Sequence, residues 1–448
     1  MHRTLLLRLA PSLRLRPRWR RMRMHGPVGA LLLGEMTTLF ASTVGHGAAL
    51  WWLARHAGVQ GLTVYSALMA ALALISLPLL SPLGDRLCRR RLIVWGQALL
   101  VGEAAALMVL AWMEALSVPV LCACGAMATW ANAVIQPARS GLLLDVVATS
   151  RLGAAIRVRR GAQALGTLGG PALGGVALAL GDVGLAFVLQ LALAIAALVL
   201  ARKTRPLAPP TSARSTESWR ASLAAGLRAK WRVRVDRWWS LTGALMMVFF
   251  LPATGMLLPL RLQKLGASPA WLGLCGSALS LGVLVGVLGI ADRCMARLGR
   301  MRAMVVAIAV CGLSLGAVGG VDRPAAVMLC FGVIGVCLSV TQLMGQTHRS
   351  LAVPEDFRAR MASAQLTLSH LAAALSPLLA GLCLGWWPIE WVYGLMSAGF
   401  LLSGLALLVV PDLRVFLAAS PVEATGWYER RYPEAFRRGE RPGAESRA

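Results

Sequence analysis

Long apolar runs, almost free of charge, recur from Val28 to Val410, and no other feature narrows the possible folds so far. A helix rising about 1.5 Å per residue needs about 20 residues to cross a hydrocarbon layer of ~30 Å, the length of these runs. Backbone amides find no water in lipid, so each run must close its hydrogen bonds internally, as a helix does. Hydropathy predicts twelve spans. Six come first: Val28–Leu53, Leu62–Leu80, Leu92–Trp112, Val118–Ile135, Gly161–Leu180 and Val183–Leu200. After a long break follow Leu241–Leu260, Trp271–Ile290, Ala303–Val318, Pro324–Leu343, Met361–Leu384 and Ile389–Val410. A chain that is 57% hydrophobic, with a mean hydropathy of +0.67, does not fit two or three soluble domains. The expected fold class is an all-α polytopic membrane protein.

The net charge of +26 invites a nucleic-acid partner, but its distribution excludes one. Basic residues lie between apolar runs rather than along one soluble face. With the N-terminus inside, 41 of the 45 lysines and arginines fall on the cytoplasmic side, leaving Arg55, Arg261, Lys264 and Arg323 on the other. Positive charge is retained on the cytoplasmic side during insertion, so both termini are expected there. Trp51, Trp52, Trp112, Trp271, Trp386, Trp387 and Trp391 fall near the opposite interface, where indole rings favour the headgroup level. The expected setting is a cell membrane, with the lipid bilayer as partner. The nine cysteines show no paired extracellular spacing and no Cys-x-x-Cys, so neither disulfides nor zinc is expected. No phosphate-cradling Gly-x-x-x-x-Gly-Lys loop appears, so no ATP use or other cofactor is expected, and the absence of a His/Asp/Cys cluster at one depth argues against an enzyme.

Three echoes divide the chain. Asp85-Arg86 returns as Asp292-Arg293, Gln136-Pro137-Ala138-Arg139-Ser140 as Gln346-Thr347-His348-Arg349-Ser350, and Gly170-Pro171 as Ser376-Pro377. Their offsets are 207, 210 and 206 residues, in the same order, as duplication of a helix-rich half produces. The predicted organisation is a basic tail (1–26), a six-helix half (27–203), a linker (204–239), a homologous six-helix half (240–411) and a charged, partly disordered tail (412–448). The first tail is arginine-rich and acid-free; it fits a basic arm on anionic lipid, a later start at Met22 or Met24, or a transit peptide, but not a secretory signal. The linker places Trp219, Leu223, Leu227, Trp231, Val235 and Trp238 at near-helical spacing among arginines, the pattern of a basic amphipathic helix on the inner membrane surface.

Three groups of residues carry candidate chemistry. Asp85 lies among Arg86, Arg89 and Arg90 at the inner mouth, where it could pair with Arg139 and latch a gate, or serve only as a solvated topogenic cluster. Gly166, Gly170, Pro171, Gly174 and Gly175 on helix five permit close helix approach and a bend. Intramembrane acids are costly and so are functional candidates; Glu35 and Glu103 qualify, with His46 and His370 as further polar groups. Each acid could exchange a proton or be a structural carboxylate.

Twelve helices in two halves, with Leu83, Asp85, Arg86, Arg89 and Arg90 after helix two, resemble the major facilitator superfamily. Gln136-Pro137-Ala138-Arg139 and the glycine-rich fifth helix resemble its enterobactin and macrolide exporter branch. The resemblance implies a monomeric secondary transporter that exports a small amphipathic molecule, a drug or siderophore, by proton antiport. A lipid-like metabolite transporter and a non-transporting receptor share the same fold. It also implies that helix one lines the cavity while helix three is peripheral, which ranks Glu35 above the deeper Glu103. A cavity walled by Leu, Met, Ala and Trp130 is expected.

Overall fold

The computed structural model describes residues 26–80, 87–147, 152–204 and 219–436, and every span predicted from hydropathy is helical along nearly all its length. Helices α1 (Pro27–His56), α2 (Gly58–Leu80), α3 (Arg89–Trp112) and α4 (Val118–Val146) follow in order. Leu152–Lys203 runs on for 52 residues, but Gly181 and Asp182 have non-helical φ/ψ. Unbroken, such a helix would reach about 78 Å, more than twice the bilayer core, so the break turns it back as two spans. These are α5 (residues 152–180) and α6 (183–203).

The linker departs from its predicted form. Helix α7 (Trp219–Arg232) stops at Val233, whose ψ of 97° is extended, and α8 (Arg234–Thr254) begins directly beyond it. Val235 and Trp238 therefore belong to the seventh span, completed by α9 (Leu257–Lys264), rather than to the surface helix. The physical reason is Asp236, which is buried and drawn onto Lys230 across the break at 2.6 Å.

The eighth span is α10 (Ala270–Val285), a π turn at Gly286–Ile290 and α11 (Ala291–Leu298). Within the turn Gly289 takes a φ of 152°, open to glycine and strained for other residues. Helices α12 (Arg300–Gly320), α13 (Pro324–Ala352), α14 (Glu355–Leu384) and α15 (Ile389–Leu405) complete the spans.

Short helices α16 (Leu413–Ala418), α17 (Pro421–Ala424) and α18 (Trp427–Arg431) then fold against the second bundle. The tail, expected to be disordered in part, is folded through Phe436. Its Phe416 and Tyr428 are fully buried, and Phe416 meets Trp239, His348, Trp427 and Tyr428 ring to ring. Aromatic burial outweighs the charge of the segment.

Helices α1–α6 pack together, as do α8–α15, and the two bundles meet through α2 with α14, α5 with α10 and α1 with α9. These meetings concentrate at the face opposite the first turn of α1. There the Gln263 amide reaches the last turn of α1, and Thr63 lies against Gly381. A Cβ added to Gly175 would lie 2.6 Å from the Cα of Gly273, so two backbones touch between the halves. The bundles are thus closed on one another at that face.

Candidate functional site

The glycine row of α5 does two jobs from two faces. Cβ atoms on Gly166 and Gly174 would fall 2.8 Å from Leu39 and 3.3 Å from Val44 of α1, and one on Gly170 would strike Thr43. Gly175, one residue on, faces α10, and Pro171 packs against Gly273 and Gly276 of that helix. The row therefore seats α5 on its own half and on the other half at once.

Under this closure lies a cavity of about 700 Å3, at mid-depth between α1, α2, α3, α4, α6 and α14. Leu100, Leu107, Leu121, Met69 and a set of alanines make most of its wall. Trp130, expected there, does not line it and is half exposed on the outside of α4. The polar groups reaching the cavity include His46, Tyr65, Glu103, Asn132, Gln190 and His370. Among the described residues Glu103 is the one acid in the wall.

Glu103 is 4% exposed and accepts a hydrogen bond of 2.9 Å from Gln190 Nε2 on α6. The Gln190 side chain rests in the space left by Gly45 of α1, where a Cβ would collide with it. Helix three packs on α4 and on the α5–α6 pair of its own half, as a peripheral helix does, yet Leu100, Glu103 and Leu107 reach the cavity, against the ranking that put Glu35 first. Gly96, lower on α3, lets Ile135 approach closely, and the helix turns Glu103 inward.

Glu35 is placed differently. It is 0% exposed, away from the cavity wall, and held by Arg159 of α5 through a paired contact, Nε to Oε2 at 2.7 Å and Nη2 to Oε1 at 2.8 Å. Gln163 Nε2 donates a third bond at 2.7 Å, and Arg159 Nη1 reaches Ser140 at 3.1 Å. Arg139, 1% exposed, donates from Nη2 to the Gly34 carbonyl at 3.1 Å and to Thr38 Oγ1 at 2.6 Å. Gln97 Nε2 of α3 also donates to Thr38, at 2.9 Å. One polar network thus ties α1, α3, α4 and α5 together.

The second half repeats this arrangement. Arg349 of α13 pairs with buried Asp236 of α8 at 3.1 Å, donates to Ser240 at 3.3 Å and lies 4.1 Å over the Trp239 ring. Ser240 follows Gly34 by 206 residues and Arg349 follows Arg139 by 210, so both offsets match the sequence echoes. Tyr428 of the tail adds a bond of 3.2 Å to Asp236. Burial lowers the Lys230 pKa below the ordinary lysine value, against the opposing pull of Asp236.

Of the loop residues, Asp85 and Arg86 lie outside the described residues. Arg89 Nη1 donates to the Gly141 carbonyl at 3.3 Å, and Arg90 Nη2 to the Arg202 carbonyl at the end of α6 at 2.8 Å. Asp292 and Arg293 lie at the start of α11, Asp292 exposed. Sequence reasoning missed Arg159, Gln163, Gln190 and Asp236. Lone amides inside apolar runs were available signals for Gln190 and Gln163. Arg159 and Asp236 stood among loop charges, because α5 and α8 begin before their apolar runs do.

Two helical bundles closed on one another at one face, with a mid-depth cavity in the first that reaches Leu366 and His370 of the second, fit a polytopic membrane transporter. The chain belongs to the Major Facilitator Superfamily, whose family model matches residues 31–321 and 263–432. The multidrug efflux pump Tap of Mycolicibacterium fortuitum is 25% identical over 403 residues, covering 88% of this chain and 96% of its own length. The enterobactin exporter EntS of Shigella flexneri is 29% identical over 170 residues, which is 36% of this chain and 40% of that protein. Among solved structures, the nucleoside transporter NupG shares the fold, with a TM-score of 0.66 over 86% of this chain and 98% of its own at 13% identity.

Proposed function

We propose that this protein is a secondary active exporter of small amphipathic molecules, of the drug or siderophore class, working by alternating access against proton entry. The observation that carries this reading is the largely apolar cavity of about 700 Å3 with Glu103 in its wall. Apolar walls suit a bulky organic molecule, and a few polar groups orient it. The names of the relatives, a multidrug efflux pump and an enterobactin exporter, support the direction and the substrate class.

Orientation rests on charge: 41 of 45 basic residues on the side of the termini make that side cytoplasmic in a cell membrane. The closed face is then the outer one, and the state described is inward-facing. Asp292 is exposed in it, as part of a disengaged inner latch with Arg293 would be. Asp85, Arg86, Arg89 and Arg90 are assigned the equivalent role in the first half, with Arg139 holding α4 to α1. The working unit is a monomer in the bilayer, with protons as the coupling ion.

Of the two acids, Glu103 is assigned the coupling role. It faces the cavity with a neutral amide as partner, so a change in its charge acts on a bound substrate directly. Glu35 is bound into the Arg159 pair and is assigned a structural role. In vesicles carrying the purified protein, export of an amphipathic dye driven by an imposed pH gradient should fall to background with Glu103→Gln while dye binding persists. Undiminished gradient-driven export by that variant would remove Glu103 from the mechanism. Binding without export by the wild-type protein, with or without a gradient, would favour a receptor of this fold.

A further inference from the structure

A second hollow, of about 530 Å3, opens at the face where α1 begins, between the end of α11, the start of α12 and α16. Arg300, Arg302 and Arg414 line it, with Leu298, Met301 and Leu417 making apolar wall between them. No acidic side chain lines it among the described residues. Asp412, two residues from Arg414, is engaged elsewhere: it lies 3.7 Å from Arg431 and accepts a bond of 3.2 Å from Tyr432. Arg300 fixes one wall, donating from Nη1 to the carbonyls of Leu417 at 3.0 Å and Ala419 at 2.6 Å of the tail. Arg302 and Arg414 make no hydrogen bond or ion pair among the described residues, and both are exposed.

Three guanidinium groups around one hollow repel one another until an anion enters, and a phosphate accepts their forked donors well. The surroundings select the kind of phosphate. Val409 and Val415, on either side of the turn that leads into α16, are 82% and 64% exposed, and Leu298 is also exposed. Of these only Leu298 lines the hollow. Val409 ends the last span and Val415 follows Arg414 in sequence, and exposed apolar side chains at the end of a span lie where acyl chains begin. A soluble phosphate gains nothing from them, whereas a lipid gains headgroup and chain contacts together. We infer that this hollow is a binding site for one anionic phospholipid, its headgroup phosphate held by Arg300, Arg302 and Arg414 and its acyl chains lying along Val409 and Val415. A lipid seated there would join α11, α12 and the folded tail.

The test is lipid binding to the purified, delipidated full-length protein, counted by native mass spectrometry. Phosphatidylglycerol is titrated, with phosphatidylcholine and glycerol 3-phosphate as comparisons. The wild-type protein should hold one phosphatidylglycerol more tightly than any later one. Arg302→Gln with Arg414→Gln should weaken that first binding about tenfold or more, the worth of a charge-assisted hydrogen bond. Ala418→Phe, which fills the hollow and keeps every charge, should do the same, and it decides the matter if the arginine pair fails to fold. Arg228→Gln with Arg234→Gln removes two exposed charges from the α7–α8 region and should leave the first binding as it was. Equal weakening by that control pair, or equal first binding of phosphatidylcholine, would reduce the effect to diffuse surface charge and overturn the site. Displacement of the lipid by glycerol 3-phosphate at matching concentration would replace the lipid by a free phosphate ester.

Discussion

Arg159→Leu should be among the most damaging single changes in the first half. The Glu35 carboxylate accepts two bonds from Arg159, at 2.7 and 2.8 Å, and one from Gln163 at 2.7 Å, with no exposure of its own. The Arg159 side chain is 14% exposed, so water screens the pair weakly. Breaking a buried pair by removing one partner costs about 3–5 kcal/mol, because the other charge is left uncompensated. Arg139 grips the same turn of α1 through Gly34 and Thr38, and its charge softens the loss toward the lower end. A cost of ~3 kcal/mol corresponds to a folded-to-unfolded ratio reduced more than a hundredfold, and at ~2 °C per kcal/mol the midpoint falls by about 6 °C. Thermal unfolding in detergent, followed with a thiol-reactive dye, suits this chain because Cys275, Cys311 and Cys337 are buried until it opens. Arg159→Lys keeps the charge but not the two-pronged geometry and should fall between. Glu35→Leu added to Arg159→Leu should recover most of the loss, since two apolar side chains leave no orphan charge. A midpoint for Arg159→Leu equal to wild type, or a double variant no better than the single one, would refute the reasoning.

Two further outcomes are expected. Gly175→Val places carbon where the Gly273 backbone now lies, so the protein should insert normally yet lose transport, and spin-label distances between α5 and α10 should widen; an unchanged distance would count against that contact as the closure point. Burial, and then Asp236 beside it, hold the Tyr428 phenol well above the ordinary tyrosine value. The docked tail therefore keeps its proton where a free tyrosine would lose it, and docking weakens as pH rises past about 10. Protease cleavage of the tail should accelerate over that range, less steeply in Tyr428→Phe, and a pH-independent rate would exclude the coupling.

The fold was legible to the degree that lipid dictates it. Run lengths marked the spans, and the offsets near 207 residues marked two halves before the Arg139 and Arg349 clusters showed the same duplication in contacts. Helix ends were less legible. Helices α4 and α13 continue past their apolar runs to Val146 and Ala352, and those extensions carry Arg139 and Arg349. Hydropathy ends a span where charge begins, yet a charged residue stays inside when a partner waits for it, as Glu35 waits for Arg159. The tail misled for a related reason. Its charge count hid Phe416, which seats against Trp239 of α8 and His348 of α13, and Tyr428, which bonds Asp236 of α8.

Span number, the two-half plan and the sidedness of charge belong to the order of residues, because they follow from solvent: hydrocarbon demands closed helices, and charge must leave it. Which acid meets the cavity could not be found in that way. In a soluble helix the polar face announces the outside, but in α1 and α3 lipid and protein interior are both apolar, so neither helix carries a pattern that says which side Glu35 or Glu103 takes. That choice was made by packing. Gly45 opens room for Gln190 to hold Glu103 at the cavity, and the pairing with Arg159, from a residue 124 positions away, draws Glu35 out of reach of it.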